Sequence, residues 1–286
     1  MSEFFLELFS EEIPPGLQKN FREKIFEDFK NLFEEKSIKS KKNFSFSTPN
    51  RLVLVFEGLD KQIKIKSKEI RGPKTSAPKQ ALEGFLRSNK IDKKDLFKKI
   101  IEKNEFYFYK TVATSLKTHD LLTEFIPKIL SNYQWKKSMK WGEFNLNWGR
   151  PLKSILSIFN KKIVSFKFHH LASSNLTFLD KDFEDKKKSF ENFKKYEKFF
   201  ENNGIIINQN KRLKIINKSF LKILGQKKLK INENPKLMDE VVNLVESPNV
   251  LLCKFDKKFL SVPKEILTLT METYQKYFPT FNDKNE

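Results

Sequence analysis

Six residues near the start of the chain, FFLELF (Phe4 to Phe9), set the strongest constraint on what it can fold into. An apolar run this short reads as a buried strand, and Glu11, Glu12 and the Pro14-Pro15 pair end it. Leu17, Phe21, Ile25, Phe29, Leu32 and Phe33 then recur at three- and four-residue steps, which draws one apolar stripe along a helix. NRLVLVFEGL (Asn50 to Leu59) and KQIKIKSKEI (Lys61 to Ile70) read as strands, and the second alternates apolar with polar. Strand, helix, strand, strand is an α+β opening, with mixed or antiparallel sheets and packed amphipathic helices expected.

RGPKTSAPKQ (Arg71 to Gln80) reads as a loop leading into a helix near Ala81 to Asn89, and FYFYKTVA (Phe106 to Ala113) as a strand. Leu121, Leu122, Phe125, Ile126, Ile129, Leu130 and Tyr133 mark another amphipathic helix, in which Pro127 predicts a kink or a restart. LKSILSIF (Leu152 to Phe159) and IVSFKFHH (Ile163 to His170) predict a hairpin across Asn160 to Lys162. From about Asp180 the chain turns charge-dense with a helical period, and Phe190, Phe193, Tyr196 and Phe200 face one way. Further helices are predicted at Leu213 to Leu224 and Leu237 to Glu246, and LLCKF and KFLSVP read as strands around Asp256-Lys257. The shift in composition predicts two parts, an N-terminal α+β domain over residues 1–170 and a helix-rich α+β domain over 171–286.

Charge narrows the partners. The 286 residues include 56 Lys plus Arg against 36 Asp plus Glu, a formal net charge of +20. Such a surface draws polyanions at long range, phosphate backbones first among them; a plain solvated basic surface is the alternative. The single cysteine, Cys253, rules out a disulfide framework and fits a reducing compartment. MSEFFLELFSEE is acidic where a signal peptide is basic and then apolar, and no apolar run reaches the roughly 18 residues of a membrane span. A cytoplasmic protein is expected.

Motifs for chemistry are scarce. None of the eight glycines forms GxGxxG or the phosphate-cradling GxxxxGK[ST]. Cys253, His119, His169 and His170 lack zinc spacing, and adjacent His169 and His170 on a strand would point to opposite faces. No GxSxG elbow is present. Glu11-Glu12 reads as a strand-end turn, with one carboxylate near the next helix's first turn, rather than as a catalytic pair. No catalytic residue and no metal ligand is therefore expected.

The stretch KKSMKWGEFNLNWGRP (Lys136 to Pro151) is the main candidate for binding. Lys136, Lys137, Lys140 and Arg150 can neutralise phosphates while Trp141 or Trp148 offers a face to an unpaired base. Alternatively the tryptophans anchor the loop and only the charges face water. Arg71 and Lys74, flanking Gly72-Pro73, form a second candidate anion site, unless Arg71 pairs with Glu69 or Glu83. Tyr274 to Tyr277 follow an apolar run and are expected in a core or an interface. The Lys186-Lys187-Lys188 run reads as a solvated helix face.

Several of these stretches together resemble one family, the β subunit of the bacterial two-subunit glycyl-tRNA synthetase. FFLELFSEEIPP is similar to that family's opening strand and Glu-Glu-Ile-Pro turn, and TPNRLVLVFEGL (Thr48 to Leu59) to its Thr-Pro-x-Arg-Leu strand. EIRGPKTSAPKQALEGFLRSN (Glu69 to Asn89) resembles its Arg-Gly-Pro loop and Gly-Phe helix, and KSMKWG with GRPLKSILSIF its Lys-Ser-Met-Arg-Trp-Gly and Arg-Pro segments. The region from Leu237 to Phe281 resembles the family as well. In place of the family's Gly-His-Arg-Phe segment stands ASSNLTFLDKDF (Ala172 to Phe183), and the family's chain continues past Tyr277-Phe278 into an HD-like helical and an anticodon-binding domain. The resemblance implies a tRNA-binding and assembly role in an α2β2 tetramer. ATP and Mg would be used by the partner α subunit, where glycine is activated and passed to tRNA-Gly, and no cofactor is implied for this chain. A stand-alone RNA-binding module remains open. So does an editing-type hydrolase, since part of the β subunit resembles the B3/B4 domain of phenylalanyl-tRNA synthetase.

Overall fold

A computed structural model describes residues 2–65, 67–179 and 187–282. In chain order it contains β1 (Glu3–Ser10), α1 (Pro15–Glu35), β2 (Lys42–Ser47) and β3 (Arg51–Glu57). There follow β4 (Gln62–Ile65), β5 (Glu69–Lys74), α2 (Lys79–Asn89), β6 (Leu96–Ile101), β7 (Asn104–Lys110), β8 (Thr114–Lys117) and α3 (Thr118–Asn132). Next come β9 (Leu152–Phe159), β10 (Lys162–Ile163), β11 (Lys167–Phe168), β12 (Leu171–Ser174), β13 (Leu176–Phe178) and β14 (Lys187–Ser189). The chain continues with α4 (Phe193–Asn202), α5 (Gln209–Lys227), β15 (Lys230–Ile231), α6 (Pro235–Val242), α7 (Lys264–Thr273) and β16 (Thr280–Phe281). The α+β class expected from the sequence is what forms.

The chain divides into two compact units, residues 1–60 with 122–286, and residues 61–121. The boundary predicted near residue 170 does not divide it. β12, just past that point, pairs in parallel with β9 of the main sheet, and the aromatic face of α4 packs on the same sheet. A composition shift marked a change from sheet to helix within one unit.

The larger unit is built on a seven-stranded sheet of order β11-β12-β9-β1-β3-β2, with β10 also on β9. β1 lies between β3 and β9, antiparallel to both, and from Phe4 to Ser10 it is buried throughout. Its side chains alternate between faces. Phe4 meets Phe29 and Phe33 of α1, while Phe5 meets Phe193 and Tyr196 of α4. Phe190, Phe193, Tyr196 and Phe200 form the single face predicted for them. Burying one such ring is worth roughly 1.5–3 kcal/mol, so the Phe-rich composition is spent mainly on the two faces of this sheet.

One polar cluster is sealed beneath α4. Arg51 of β3, 1% exposed, donates from Nη1 to Glu246 Oε1 (2.8 Å) and from Nη2 to the carbonyls of Phe178 and Leu179 (both 2.8 Å). Its Nε stands 3.3 Å from Glu7 Oε1, and Phe9 and Phe200 sandwich the guanidinium at 4.7 and 4.5 Å. The Tyr196 hydroxyl donates to Glu7 and that of Thr48 to Glu246. Nearby, buried Arg212 gives its donors to the carbonyls of Val242, Ile206, Ile207 and Ser47, and burial pushes its pKa down to about 10.

The smaller unit holds the three-stranded sheet β5-β7-β6, the β4–β8 pair and α2. Gly72 is required here by a close approach: a Cβ would lie 2.9 Å from the Phe85 ring of α2 and 3.1 Å from the Tyr107 carbonyl.

Several local expectations change. Lys61 to Ile70 is two strands in different sheets, and β5 runs through Gly72-Pro73 with a bulge where a loop was expected. The predicted 160–162 hairpin is only the short β9–β10 ladder; β11 instead turns back onto β12, with His169 at φ 52. His169 and His170 therefore occupy a turn. Of the charge-dense stretch, residues 180–186, Lys186 among them, lie outside the described residues, Lys187–Ser189 is a strand, and the helix starts at Phe193. KNFSFS, unassigned from the sequence, forms β2. LLCKF has no regular structure, and Lys257–Ser261 is a 3-10 turn rather than a strand. α3 continues through Pro127. Glu11 leaves the first turn of α1 alone and pairs with Lys153 at 2.7 Å. Among the described residues no helix is long and apolar enough to cross a membrane.

Arg51→Ala leaves Glu7 and two carbonyls buried without their partner, and is expected to lose about 3–5 kcal/mol in urea unfolding. Burial raises the Glu7 pKa, although Arg51 and the Thr177 and Tyr196 hydroxyls pull the other way. The folded chain thus holds this proton more readily than the unfolded chain. Its contribution to stability is present below the ordinary carboxylate range and is lost as pH rises through the raised value. Glu7→Gln should flatten that part of the stability profile; a variant as pH-sensitive as wild type would exclude Glu7 as its source.

Candidate nucleic-acid interface

Residues 133–151, which join α3 to β9, fold back on themselves. Met139 and Trp148 exchange both backbone hydrogen bonds, at 2.8 and 3.1 Å, and Phe144 N donates to the Trp141 carbonyl at 3.2 Å to close a turn. The base of this loop is an aromatic plug. Trp148, 2% exposed, lies edge-on to Phe21, Trp135 and Phe168 at 5.5, 5.2 and 5.6 Å. Gly149 makes the plug possible, because a Cβ there would fall 2.4 Å from the Trp135 ring. Trp148 is therefore excluded as a stacking face, and the anchoring reading holds for it.

Trp141 behaves differently. It is half-buried on the outside of the loop, edge-on to His170 at 5.8 Å. Phe144 stacks face to face on the same imidazole, 3.6 Å between centroids and 9° from parallel. Phe144 and His170 are both exposed, Phe144 by 42%. Partial burial and the neighbouring His169 lower the His170 pKa, so its ring is predominantly neutral at neutral pH.

Lys136, Lys137 and Lys140 are all exposed and have no carboxylate within ion-pair distance among the described residues. Arg150 is half-buried and turns Nη1 onto the Gly149 carbonyl at 2.8 Å, so part of its donor set is occupied by its own chain. The loop holds Lys136, Lys137, Lys140, Trp141 and Arg150, and the structure adds Phe144, which the sequence did not single out, and His170, which the sequence raised only as a metal ligand. Phe144 carries no signal in a Phe-rich chain, and the position of His170 depends on the β11–β12 turn.

Arg71 and Lys74 belong to the smaller unit. Arg71 is exposed and lies over the Phe106 ring at 3.7 Å; it does not pair with Glu69, whose carboxylate goes to Lys99. Lys74 shares that ring at 5.8 Å and donates to Asn104 Oδ1 at 3.2 Å. A guanidinium laid on an aromatic face keeps its N–H edge available, which suits bidentate contact with phosphate.

A second surface lies in the larger unit. α5, α7 and the segment 248–255 surround an apolar cavity of about 980 Å³, with Phe220, Leu224, Leu252, Leu267 and Phe278 in its wall. Of its lining residues Leu251 and Leu260 are 72 and 64% exposed. Tyr274 and Tyr277, expected in a core or an interface, are 79 and 58% exposed, and Lys276 pairs with Glu240 at 2.9 Å. Core burial is excluded for both tyrosines.

A family model described as Glycyl-tRNA synthetase beta subunit matches residues 4–286. Proteins named Glycine--tRNA ligase beta subunit are similar along the chain. That of Rickettsia bellii (strain OSU 85-389) is 39% identical over 286 residues, covering 100% of this chain and 43% of its own. That of Rickettsia peacockii (strain Rustic) is 38% identical over 282 residues, covering 99% and 42%. The chain spans less than half the length of these curated relatives.

Gly149→Ala must displace Trp135 and is expected to lose about 1–3 kcal/mol of stability while changing the near-UV circular dichroism of the tryptophans. An unchanged spectrum with wild-type stability would mean that the plug is not packed as described.

Proposed function

The chain belongs to the glycyl-tRNA synthetase beta-subunit family, and from that premise we propose that it is a non-catalytic tRNA-binding and assembly portion of a glycine–tRNA ligase. The family match over residues 4–286 carries the reading. In this role the chain supports ATP-dependent charging of tRNA-Gly by an α subunit, within an α2β2 complex in the cytoplasm. ATP and Mg belong to that α subunit, in keeping with a sequence without GxGxxG or GxxxxGK[ST].

Three separate features support the division of labour. The lysines of the 133–151 loop and the Phe106-backed Arg71 are free to meet phosphates, and the net charge of +20 supplies long-range attraction. The exposed leucines around the 980 Å³ cavity are the kind of apolar patch that a protein seated against further polypeptide carries.

Binding of the purified chain to tRNA-Gly and to an unrelated tRNA across a salt series tests the RNA role, and co-purification with the α subunit tests the assembly role. Tighter binding to tRNA-Gly with a steep slope is expected. Replacing Lys136, Lys137 and Lys140 together by Ala should lower that slope by about two to three, and Arg71→Ala by about one. Arg150→Ala should change it less, since Arg150 is partly engaged by Gly149. RNA binding without any complex would favour a stand-alone module, and no binding to any RNA would remove the RNA role.

A further inference from the structure

Two rings of the 133–151 loop, Trp141 and Phe144, form one array with His170 of the β11–β12 turn. Trp148 and Trp135 already plug the loop's base. Phe144 and His170 are stacked at 3.6 Å in solvent, with Trp141 edge-on beside them. They come from segments brought side by side by the β11–β12 turn, the Met139–Trp148 bridge and the Trp148–Phe168 contact. A flat ring pair held open to water, rather than folded onto a core, is a surface on which a further planar group can stack.

The surroundings select the kind of planar group. Among the described residues Lys136, Lys137 and Lys140 stand in the same loop without carboxylate partners, Lys167 is exposed on β11, and Glu143 is the only acid in the sequence from Lys136 to Pro151. Rings for a base and cations for a backbone are the two halves of single-strand recognition. A protein partner would be better matched by aliphatic surface, which this chain shows around the cavity of α5 and α7 instead.

We propose that the Phe144–His170 stack, flanked by Trp141, is the seat of one unpaired base of a bound RNA, with Lys136, Lys137 and Lys140 on the adjoining phosphates. The proposal rests on the RNA-binding reading and gives it a site. Aromatics and cations then have separable signatures: loss of stacking lowers affinity at every salt concentration, whereas loss of a phosphate contact lowers the salt slope.

The test is equilibrium binding of the whole chain to tRNA-Gly, to an unstructured RNA oligonucleotide and to duplex RNA, each across a salt series. Phe144→Leu and His170→Ala are expected to weaken tRNA-Gly and oligonucleotide binding about 5- to 100-fold with the slope kept, and to leave duplex binding unchanged. Phe144→Tyr, which keeps the ring, should bind like wild type, and unaltered unfolding midpoints show that the fold is intact. Wild-type affinity in both ring-removing variants, beside a wild type that binds RNA steeply, overturns the stacking seat and leaves RNA binding standing as electrostatic. Variants that bind RNA normally but lose the α subunit would assign the patch to protein contact and overturn the proposal. A wild-type chain that binds no RNA removes the seat together with the reading beneath it.

Discussion

A single guanidinium fixes how the elements of the larger unit meet. Arg51 sits in an inner strand of the sheet; its Nε stands beside Glu7 on the neighbouring strand, and its other donors reach the carbonyls at the end of β13 and Glu246 beyond α6. Phe9, from the same strand as Glu7, and Phe200 of α4 close over it. Taking a charge out of water costs several kcal/mol unless it is paired and hydrogen-bonded, so the position tolerates one arrangement of its neighbours and few others. Hydrophobic burial makes this unit stable; Arg51 makes the arrangement specific, because apolar faces could slide past each other and a forked donor set cannot.

Arg212 repeats the principle with backbone in place of carboxylates. Its four carbonyl partners lie at the end of β2, just before α5 and at the end of α6, so one side chain ties together three separate places in the chain. Buried cations thus set the geometry of the interior, while the lysines that give the chain its charge stay outside. The two populations do different work, and net charge alone describes only the second.

Legibility in the sequence followed the range of the interaction. β1, α1, β3, β9 and the aromatic face of α4 could be read because their signal is a local period, and the residues that carry it are the ones buried. The Thr-Pro-x-Arg-Leu stretch was recognisable as a pattern, yet its work, Thr48 and Arg51 converging on Glu246, depends on a partner 195 positions away. The break in Lys61 to Ile70, the strand through Gly72-Pro73 and the loss of the two predicted strands after residue 250 were hidden because pairing partners decide them, not propensity. At the candidate site the lysines and Trp141 were visible from composition, and the plug role of Trp148 stood as one of two readings. The Phe144–His170 stack was not visible, since it needs a hairpin turn and a backbone bridge to place two unremarkable residues 3.6 Å apart.

The central place of β1 has a consequence for how the protein is made. Its first partner, β3, follows within the same short stretch of chain, but its second, β9, begins only at Leu152, after the whole of the smaller unit has been threaded in between. As the polypeptide leaves the ribosome, a strand of eight residues that is finally buried on both sides must wait with one edge unpaired while residues 61–121 emerge. An edge of that kind invites pairing with another chain. The inserted unit therefore separates β1 from its second partner during synthesis, and until Leu152 and the residues after it have emerged, that edge of the nascent strand has no native strand to pair with.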